Sequence, residues 1–354
     1  MSAGNEISYE GERNEKGQKH GKGKTIFTNI EVYEGEYHED KRNGNGKYTY
    51  DNGEIYEGQW KDGKKHGKGR YTFSDKEYYE GEYQDGVKYG KGTYVFANGA
   101  SYKGGYVNDR KHGQGVYIFA NGGRYEGAYS ADKKDGSGTL VFTNGDEYTG
   151  MWREGKMHGT GRYKYSNGDV FEGDWQDDVR ASNGKLVYRN GDVYVGGLVG
   201  RVRQGEGRIM YVNGSVYDGV WEEDEKRKGT QTWGEGSHKG DVYEGDWRED
   251  KTNGYGKYVW CDGDVYVGMW KNFCMHGKGT YTYNNGDVYE GEWVDGKKEG
   301  QGKMVYVNGN VYEGVWKGDE KHHGKQTWFE QQYAGDSYEG DWKNGRGHGH
   351  GKYI

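Results

Sequence analysis

The chain reads as an all-β protein: an extended single-layer antiparallel meander, a solenoid with one β-hairpin per repeat of about 23 residues, wound into a twisted rod. Three observations predict it. Tyr-x-Gly-x-Trp/Tyr, or a one-residue variant of it, opens at Tyr9, Tyr33, Tyr56, Tyr79, Tyr102, Tyr125, Tyr148, Phe171, Tyr194, Tyr217, Tyr243, Tyr266, Tyr289, Tyr312 and Tyr338, and eleven of the fourteen steps are 23 residues, one 24 and two 26. Within each repeat the large side chains alternate with period two, which fits strands and not helices. Aliphatic residues are scarce while Tyr reaches 36, Trp 12 and Gly 69, so the apolar mass is planar and suits a thin layered core rather than a thick one.

Each element of the repeat follows from the residues. In the third repeat Tyr56, Gly58 and Trp60 share one face of a first strand, while Glu57 and Gln59 point the other way. A polar break at Asp62-Gly63-Lys64-Lys65 precedes Gly67-Lys68-Gly69 and a second strand in which Tyr71 and Phe73 share a face. The same pair recurs as Tyr48/Tyr50, Tyr94/Phe96, Tyr117/Phe119, Tyr163/Tyr165 and Tyr281/Tyr283, so four aromatic columns are expected. Glycine fits where an aromatic ring of the neighbouring hairpin lies flat across a strand and a Cβ would collide. Repeats end in pairs such as Asn52-Gly53, Asn144-Gly145 and Asn285-Gly286, signals for primed turns. Residues 1–8 form a short leading segment and 9–354 a continuous array of fifteen repeats. At about 4.8 Å per strand the ribbon should extend roughly 145 Å.

A meander puts alternate turns on opposite edges. The within-repeat turns carry Lys64, Lys65, Arg110, Lys111, Lys133, Lys134, Lys297 and Lys298, and the between-repeat turns carry Asp146, Asp169, Asp192, Asp264 and Asp287, so one rim is expected to be basic and the other acidic. The net charge of -7 argues against nucleic acid as a partner. Two cysteines, Cys261 and Cys274, make no disulfide framework and suit a reducing compartment, while Met1 to Ser8 lacks the pattern of a secretion signal. Cytoplasm and cytoskeleton are the expected location.

Tyr-Glu-Gly-x-Trp followed by Gly-Lys-x-His-Gly-x-Gly, as in Tyr56 to Gly69, resembles the MORN (membrane occupation and recognition nexus) repeat, over residues 9 to 354. The resemblance implies the same extended hairpin sheet and does not imply one function. The first repeat, with Arg13-Asn14-Glu15, Gly17 and His20-Gly21, resembles the opening of the MORN-type radial spoke head proteins of motile cilia. That resemblance implies a structural subunit in the axoneme of a cilium or flagellum, with other structural proteins, radial spoke subunits, as partners. The chain departs from the animal head proteins in its many uninterrupted repeats and in having no long acidic tail. It thereby also resembles the all-MORN scaffolds of protist basal and collar structures.

No constellation points to catalysis. His20, His66, His112 and His158 occupy one place in alternate repeats, but equivalent atoms two hairpins apart lie roughly 19 Å apart, far too distant to share zinc. A turn-stabilising or stacking role is the expectation. Cys261 with Cys274-x-His276 lacks the paired spacing of a metal site, so buried or incidental thiols are expected. Gly-x-Gly leads into a strand and not a helix, so no phosphate cradle forms. No metal, cofactor or enzymatic activity is expected. The irregular repeats are the two of 26 residues, where Gly229-Thr-Gln231-Thr-Trp233 and Gly324-Lys-Gln326-Thr-Trp328 replace the second Gly by Gln. The residues that follow, Gly234, Glu235, Gly236, Ser237, His238, Lys239 and Glu330, Gln331, Gln332, Tyr333, Ala334, Gly335, are candidate partner-binding loops. The expected function is a non-catalytic scaffold that binds proteins through its aromatic face, rims and end strands, with a homodimer allowed. Peripheral binding to anionic phospholipid through the basic rim is the competing reading; the acidic rim and the overall charge oppose it.

Overall fold

The computed structural model describes residues 5–330 and 334–354. They divide into two compact blocks, Met1–Ala181 and Ser182–Ile354, the division falling inside a strand, Val179–Val187. Among the described residues there are thirty strands, β1 (Glu6–Arg13) to β30 (Arg346–Tyr353), and each repeat supplies two. In the first block each strand from β1 to β15 (Val170–Gln176) pairs antiparallel with its chain neighbours. In the second the same holds from β16 (Val179–Val187) to β30.

The third repeat shows the module. Strand β5 (Ile55–Lys61) pairs with β6 (Lys64–Ser74) through Tyr56↔Tyr71, Gly58↔Gly69 and Trp60↔Lys65. One residue of β5, Gln59, thus stands opposite three of β6, His66 to Lys68, a bulge in which Gly67 takes a φ of 58°. The bulge frees backbone groups, and side chains take them up. Tyr56 Oη donates to the Gln59 carbonyl at 2.9 Å, and Gln59 Oε1 accepts from the Lys68 amide at 2.8 Å. For that hydroxyl to arrive, the ring must lie flat over Gly58 and Gly69; a Cβ on Gly69 would stand 2.3 Å from Tyr56 Oη and 2.6 Å from its ring. Glycine is therefore required because of a ring from its own hairpin, a correction to the expectation of a neighbouring one. The cross-strand pair of glycines leaves a slot only as wide as the ring, and Tyr56 is fully buried in it.

The aromatic columns form as expected and knit neighbouring hairpins. Tyr56 packs edge-on against Trp60 at 5.1 Å between centroids and against Tyr83 of the next repeat at 5.2 Å. Such pairs contribute about 0.5–1.5 kcal/mol each beyond area burial. Trp60 Nε1 reaches back to donate to the Gly46 carbonyl of the preceding hairpin at 3.1 Å. A second zigzag, Tyr48, Tyr50, Tyr71, Phe73, Tyr94, runs with centroids 4.6–5.6 Å apart.

The turn assignment is reversed from the sequence expectation. Asn52-Gly53 belongs to a three-residue loop: the Gly53 amide donates to Tyr50 O, the Asn52 side chain caps the Glu54 amide, and only Gly53 has positive φ, 83°. That is a type I turn with a glycine bulge, in which Asn is used for its side chain. The primed geometry sits within the repeats, where both central residues have positive φ, as at Asp62 (48°) with Gly63 (80°) or Glu39 (46°) with Asp40 (65°). Asp, Asn and Gly tolerate that conformation best and hold most of these positions; with Glu39, Glu154, Glu223 and Glu249 they leave most of these tips acidic.

The 26-residue repeats also need realignment. Gly219 pairs with Gly229 and Tyr217 with Gln231, so Gln231 replaces the second-strand tyrosine and not a glycine; Gln326 opposite Tyr312 does likewise. Their bulge is one residue shorter and the following loop four longer. The ring lost to glutamine matters because a lysine lies against it: Lys226 Nζ donates to Gln231 Oε1 at 2.9 Å and Lys321 Nζ to Gln326 Oε1 at 2.6 Å.

Candidate interaction surfaces

The expected basic rim separates into two sets. Lys64, Arg110, Lys133 and Lys297 are exposed beside the within-repeat turns. Lys65, Lys111, Lys134 and Lys298 are strand residues, each one position further on, and point to the aromatic face, where they are half-buried. Lys65 Nζ sits 4.3 Å from the Tyr71 ring centroid, Lys134 Nζ 3.7 Å from that of Trp152, and Lys298 Nζ 5.0 Å from that of Trp316. Burial pushes the ammonium pKa of Lys65 and of Lys134 down to about 8 and lowers that of Lys111. The rim as expected is corrected: its tips are acids, and half of its cations belong to the aromatic face. Sequence reasoning missed this set, although Lys65 shares the parity of Tyr71 and Phe73.

Acids at the turn tips join neighbouring hairpins. Asp109, Asp132 and Asp319 accept the backbone amides of Lys88, Lys111 and Lys298, 21 residues earlier, at 2.8–2.9 Å. On the opposite edge Glu54 accepts the Tyr71 hydroxyl at 2.5 Å, and Asp146 and Asp264 accept those of Tyr163 and Tyr281 at 2.8 and 2.5 Å. Glu54, Asp146 and Asp264 thus support the tyrosine column, whereas Asp192 and Asp287 accept the amides of Val212 and Val307.

Of the candidate loops, Glu235, Gly236, Ser237, His238 and Lys239 are exposed and Gly234 is half-buried, its amide donating to Ser215 Oγ at 3.0 Å. The loop is anchored by Asp241, which accepts from Tyr258 Oη at 2.7 Å and the Cys261 amide at 2.8 Å and lies 3.0 Å from His238 Nδ1. Burial opposes the charge on Asp241, yet these hydrogen bonds hold its carboxyl below the usual range. Glu330, Ala334 and Gly335 are exposed, with Glu330 accepting Asn308 Nδ2 at 2.6 Å; Gln331, Gln332 and Tyr333 lie outside the described residues.

His66, His158 and His276 point Nδ1 at the acid of the next repeat's turn, Asp85, Asp177 and Asp295, at 3.9–4.0 Å. Where Gln204, Asn253 or Glu299 replaces histidine, its side chain accepts the amide of that same turn at 2.8–3.4 Å, which assigns the column to turn support. Cys261 is exposed and Cys274 half-buried, and partial desolvation of the sulfur together with the neighbouring Asp241 carboxylate raises the Cys261 thiol pKa, so its thiolate is not favoured. Among the described residues no three of His, Cys, Asp and Glu are grouped to hold a metal. On the polar face, away from the rings, a groove of about 1190 Å³ in the first block has a floor of Gly58, Gly69, Gly81 and Gly92 and walls that include Arg70 and Lys91. In the second block that face exposes Tyr255 opposite Met269, an apolar pair the sequence reading passed over.

Comparison with known families finds twelve MORN repeats: one at 15–29, seven consecutive from 33 to 193, three from 243 to 311, and one at 338–354. The chain belongs to the MORN-repeat family. The repeats opening at Tyr194, Tyr217 and Tyr312 escape the match, yet they keep the register, as Tyr194↔Ile209 shows; two of them are the glutamine repeats. No curated protein matches the chain. Solved structures are only distantly similar. The TCP10 domain of Danio rerio CPAP shares 13% identity over 56% of this chain and 93% of its own, with a TM-score of 0.35. The SAS-4 TCP domain of Drosophila melanogaster, in complex with a proline-rich motif of Ana2, shares 13% over 54% and 90%, with a TM-score of 0.25. Likenesses this weak carry no argument. Membership of the MORN family makes this chain a repeat scaffold of the kind that binds other proteins.

Proposed function

We propose that this MORN array is a non-catalytic structural subunit that docks other proteins along its faces and edges, in the radial spoke head of a motile axoneme. The observation that carries the scaffold reading is recurrence. The same tyrosine-over-glycine module, with its hydroxyl bound to the carbonyl three residues on, returns in fourteen repeats from Tyr9 to Tyr338, so the titratable groups come in columns rather than as one unique acid–base pair. What varies is the surface: the two longer loops and the polar face. The spoke assignment is supported by the Arg13-Asn14-Glu15 opening, where Arg13 stacks over Tyr9 at 4.8 Å in the place that the other repeats, save the one with Leu198, give to Trp or Tyr. The phospholipid reading draws less support than the sequence offered, because Lys65, Lys111, Lys134 and Lys298 are turned to the aromatic face.

The test is a tagged copy imaged in a ciliated cell, with affinity purification and mass spectrometry. Label along the axoneme with spoke subunits recovered is the expected result. Label confined to basal or collar structures would transfer the chain to the protist-type scaffolds, and turnover of any substrate abolished by one point mutation would end the non-catalytic reading.

A further inference from the structure

In the first block the aromatic face carries Lys65, Lys88, Lys111 and Lys134 in four consecutive repeats, each opposite the first-strand aromatic, Trp60, Tyr83, Tyr106 and Tyr129. Each ammonium lies among rings. The shortest distances to a centroid are 4.3 Å for Lys65, 4.6 Å for Lys88, 5.0 Å for Lys111 and 3.7 Å for Lys134. All four are half-buried and none forms an ion pair among the described residues. The acids nearby are engaged elsewhere: Asp109 and Asp132 with backbone amides, Glu54 and Glu77 with the Tyr71 and Tyr94 hydroxyls.

The fold does not demand these charges. Met157, Met275 and Thr252 occupy the same register opposite Trp152, Trp270 and Trp247. Half-burying an ammonium costs desolvation that a ring face only partly offsets, and burial accordingly lowers all four pKa values. Arg42, opposite Tyr37, extends the row but donates to the Gly63 carbonyl at 3.0 Å; four successive lysines at a place where methionine serves the packing call for an anion from outside.

We propose that these four lysines form a track for an extended protein segment bearing a carboxylate at every third residue. The proposal rests on the protein-binding reading above and gives that partner a chemistry. Successive lysines are two strands apart, about 9.6 Å at about 4.8 Å per strand. A polyproline-II segment rises about 3.1 Å per residue and returns to one face every three residues, about 9.3 Å. Such a segment running across the strands sets one carboxylate over each ammonium. The half-buried side chains on the second strand of each lysine's hairpin, Tyr71 and Phe73, Tyr94 and Phe96, Tyr117 and Phe119, then Leu140 and Phe142, receive the intervening residues.

The test uses the full chain and fluorescein-labelled peptides read by anisotropy at low and physiological salt. A peptide of repeating Glu-Pro-Ala should bind, a scrambled peptide of equal composition should bind at least about tenfold more weakly, and added salt should weaken the first. The variant with Lys65→Met, Lys88→Met, Lys111→Met and Lys134→Met, side chains the fold accepts at 157 and 275, should lose at least about tenfold in affinity with an unchanged circular dichroism spectrum. Should this variant not fold, each single Lys→Met change must weaken binding. Lys64→Met with Lys133→Met, on the outward set, should leave it intact. Equal affinity of variant and wild type, no preference for the period of three, or capture of phosphatidylserine vesicles with no peptide bound would each overturn the track. If the variant still recovers the same partner proteins from a lysate, the track fails while the scaffold reading stands.

Discussion

At the scale of single residues, the most consequential atom is one that is missing, the Cβ of the glycine under each tyrosine. Gly69→Ala places a methyl 2.3 Å from Tyr56 Oη and 2.6 Å from the ring that the hydroxyl's hydrogen bond holds in place. We expect a loss of about 1–3 kcal/mol, the range for overpacking, read as a lower urea midpoint. Gly53→Ala, in open space at a φ of 83°, meets only left-handed strain and should lose about 1–2 kcal/mol. The presence of glycine was legible in the sequence; the identity of the ring it admits was not, because a strand pattern gives the face of a side chain and not the direction in which it lies along that face. Tyr56→Phe, which removes the 2.9 Å hydrogen bond to the Gln59 carbonyl, should cost about 1 kcal/mol by the same measurement. Phe171 shows that one repeat manages without the hydroxyl, and Trp175 nearby has a buried indole N–H with no hydrogen-bond partner.

At the scale of the element, hairpins were legible because tyrosine, glycine and tryptophan at every second position admit only a strand. Turn types were not. Asn-Gly suits a primed turn and equally a type I turn with a glycine bulge, and the side chain of Asn52, bound to the Glu54 amide at 3.0 Å, decides between them. Asn52→Ala should therefore lose about 1 kcal/mol through that bond alone, checked by denaturation against the parent chain. The tight turn hid the lysines as well. A strand that opens at Lys64 right after the Asp62-Gly63 turn carries its second residue onto the ring face, whereas a run of Asp, Gly and Lys reads as one polar loop. Gln231 and Gln326 were misaligned for a related reason: a bulge shortened by one residue shifts glycine spacing, and only the pairing with Tyr217 and Tyr312 restores the frame.

At the scale of the whole molecule, buried lysines and tyrosines set the response to alkali. Lys65, Lys134, Lys226 and Lys321 titrate near 8 when folded against 10.5 when free, so between these values the unfolded chain holds protons that the folded one has shed. Stability must rise with pH in that window. Burial raises tyrosines such as Tyr56, Tyr83 and Tyr106 above their ordinary 10, so their contribution is whole below pH 10 and drains away above it. Urea midpoints should therefore climb from about pH 8 to about pH 10 and then fall, and the quadruple Lys→Met variant should flatten the climb. A midpoint that declines steadily from pH 8 would refute the assignment of those lysines to the aromatic face. What composition and period disclosed was the array and the absence of a thick core. The places where a partner could hold on were less legible, since they depend on which of two adjacent lysines faces the rings.

Among the described residues substantial contacts join only consecutive strands, so the central claim is that each block is a row of like modules, each supported by its chain neighbours. Hydrogen exchange read by mass spectrometry on full-length Gly69→Ala tests it most directly. Amides of β5, β6, β7 (Glu77–Gln84) and β8 (Val87–Val95) should exchange faster, while those from β11 (Arg124–Ser130) to β14 (Lys156–Lys164) keep their protection. Equal acceleration throughout Met1–Ala181 would contradict the account and show one cooperative core in place of a row.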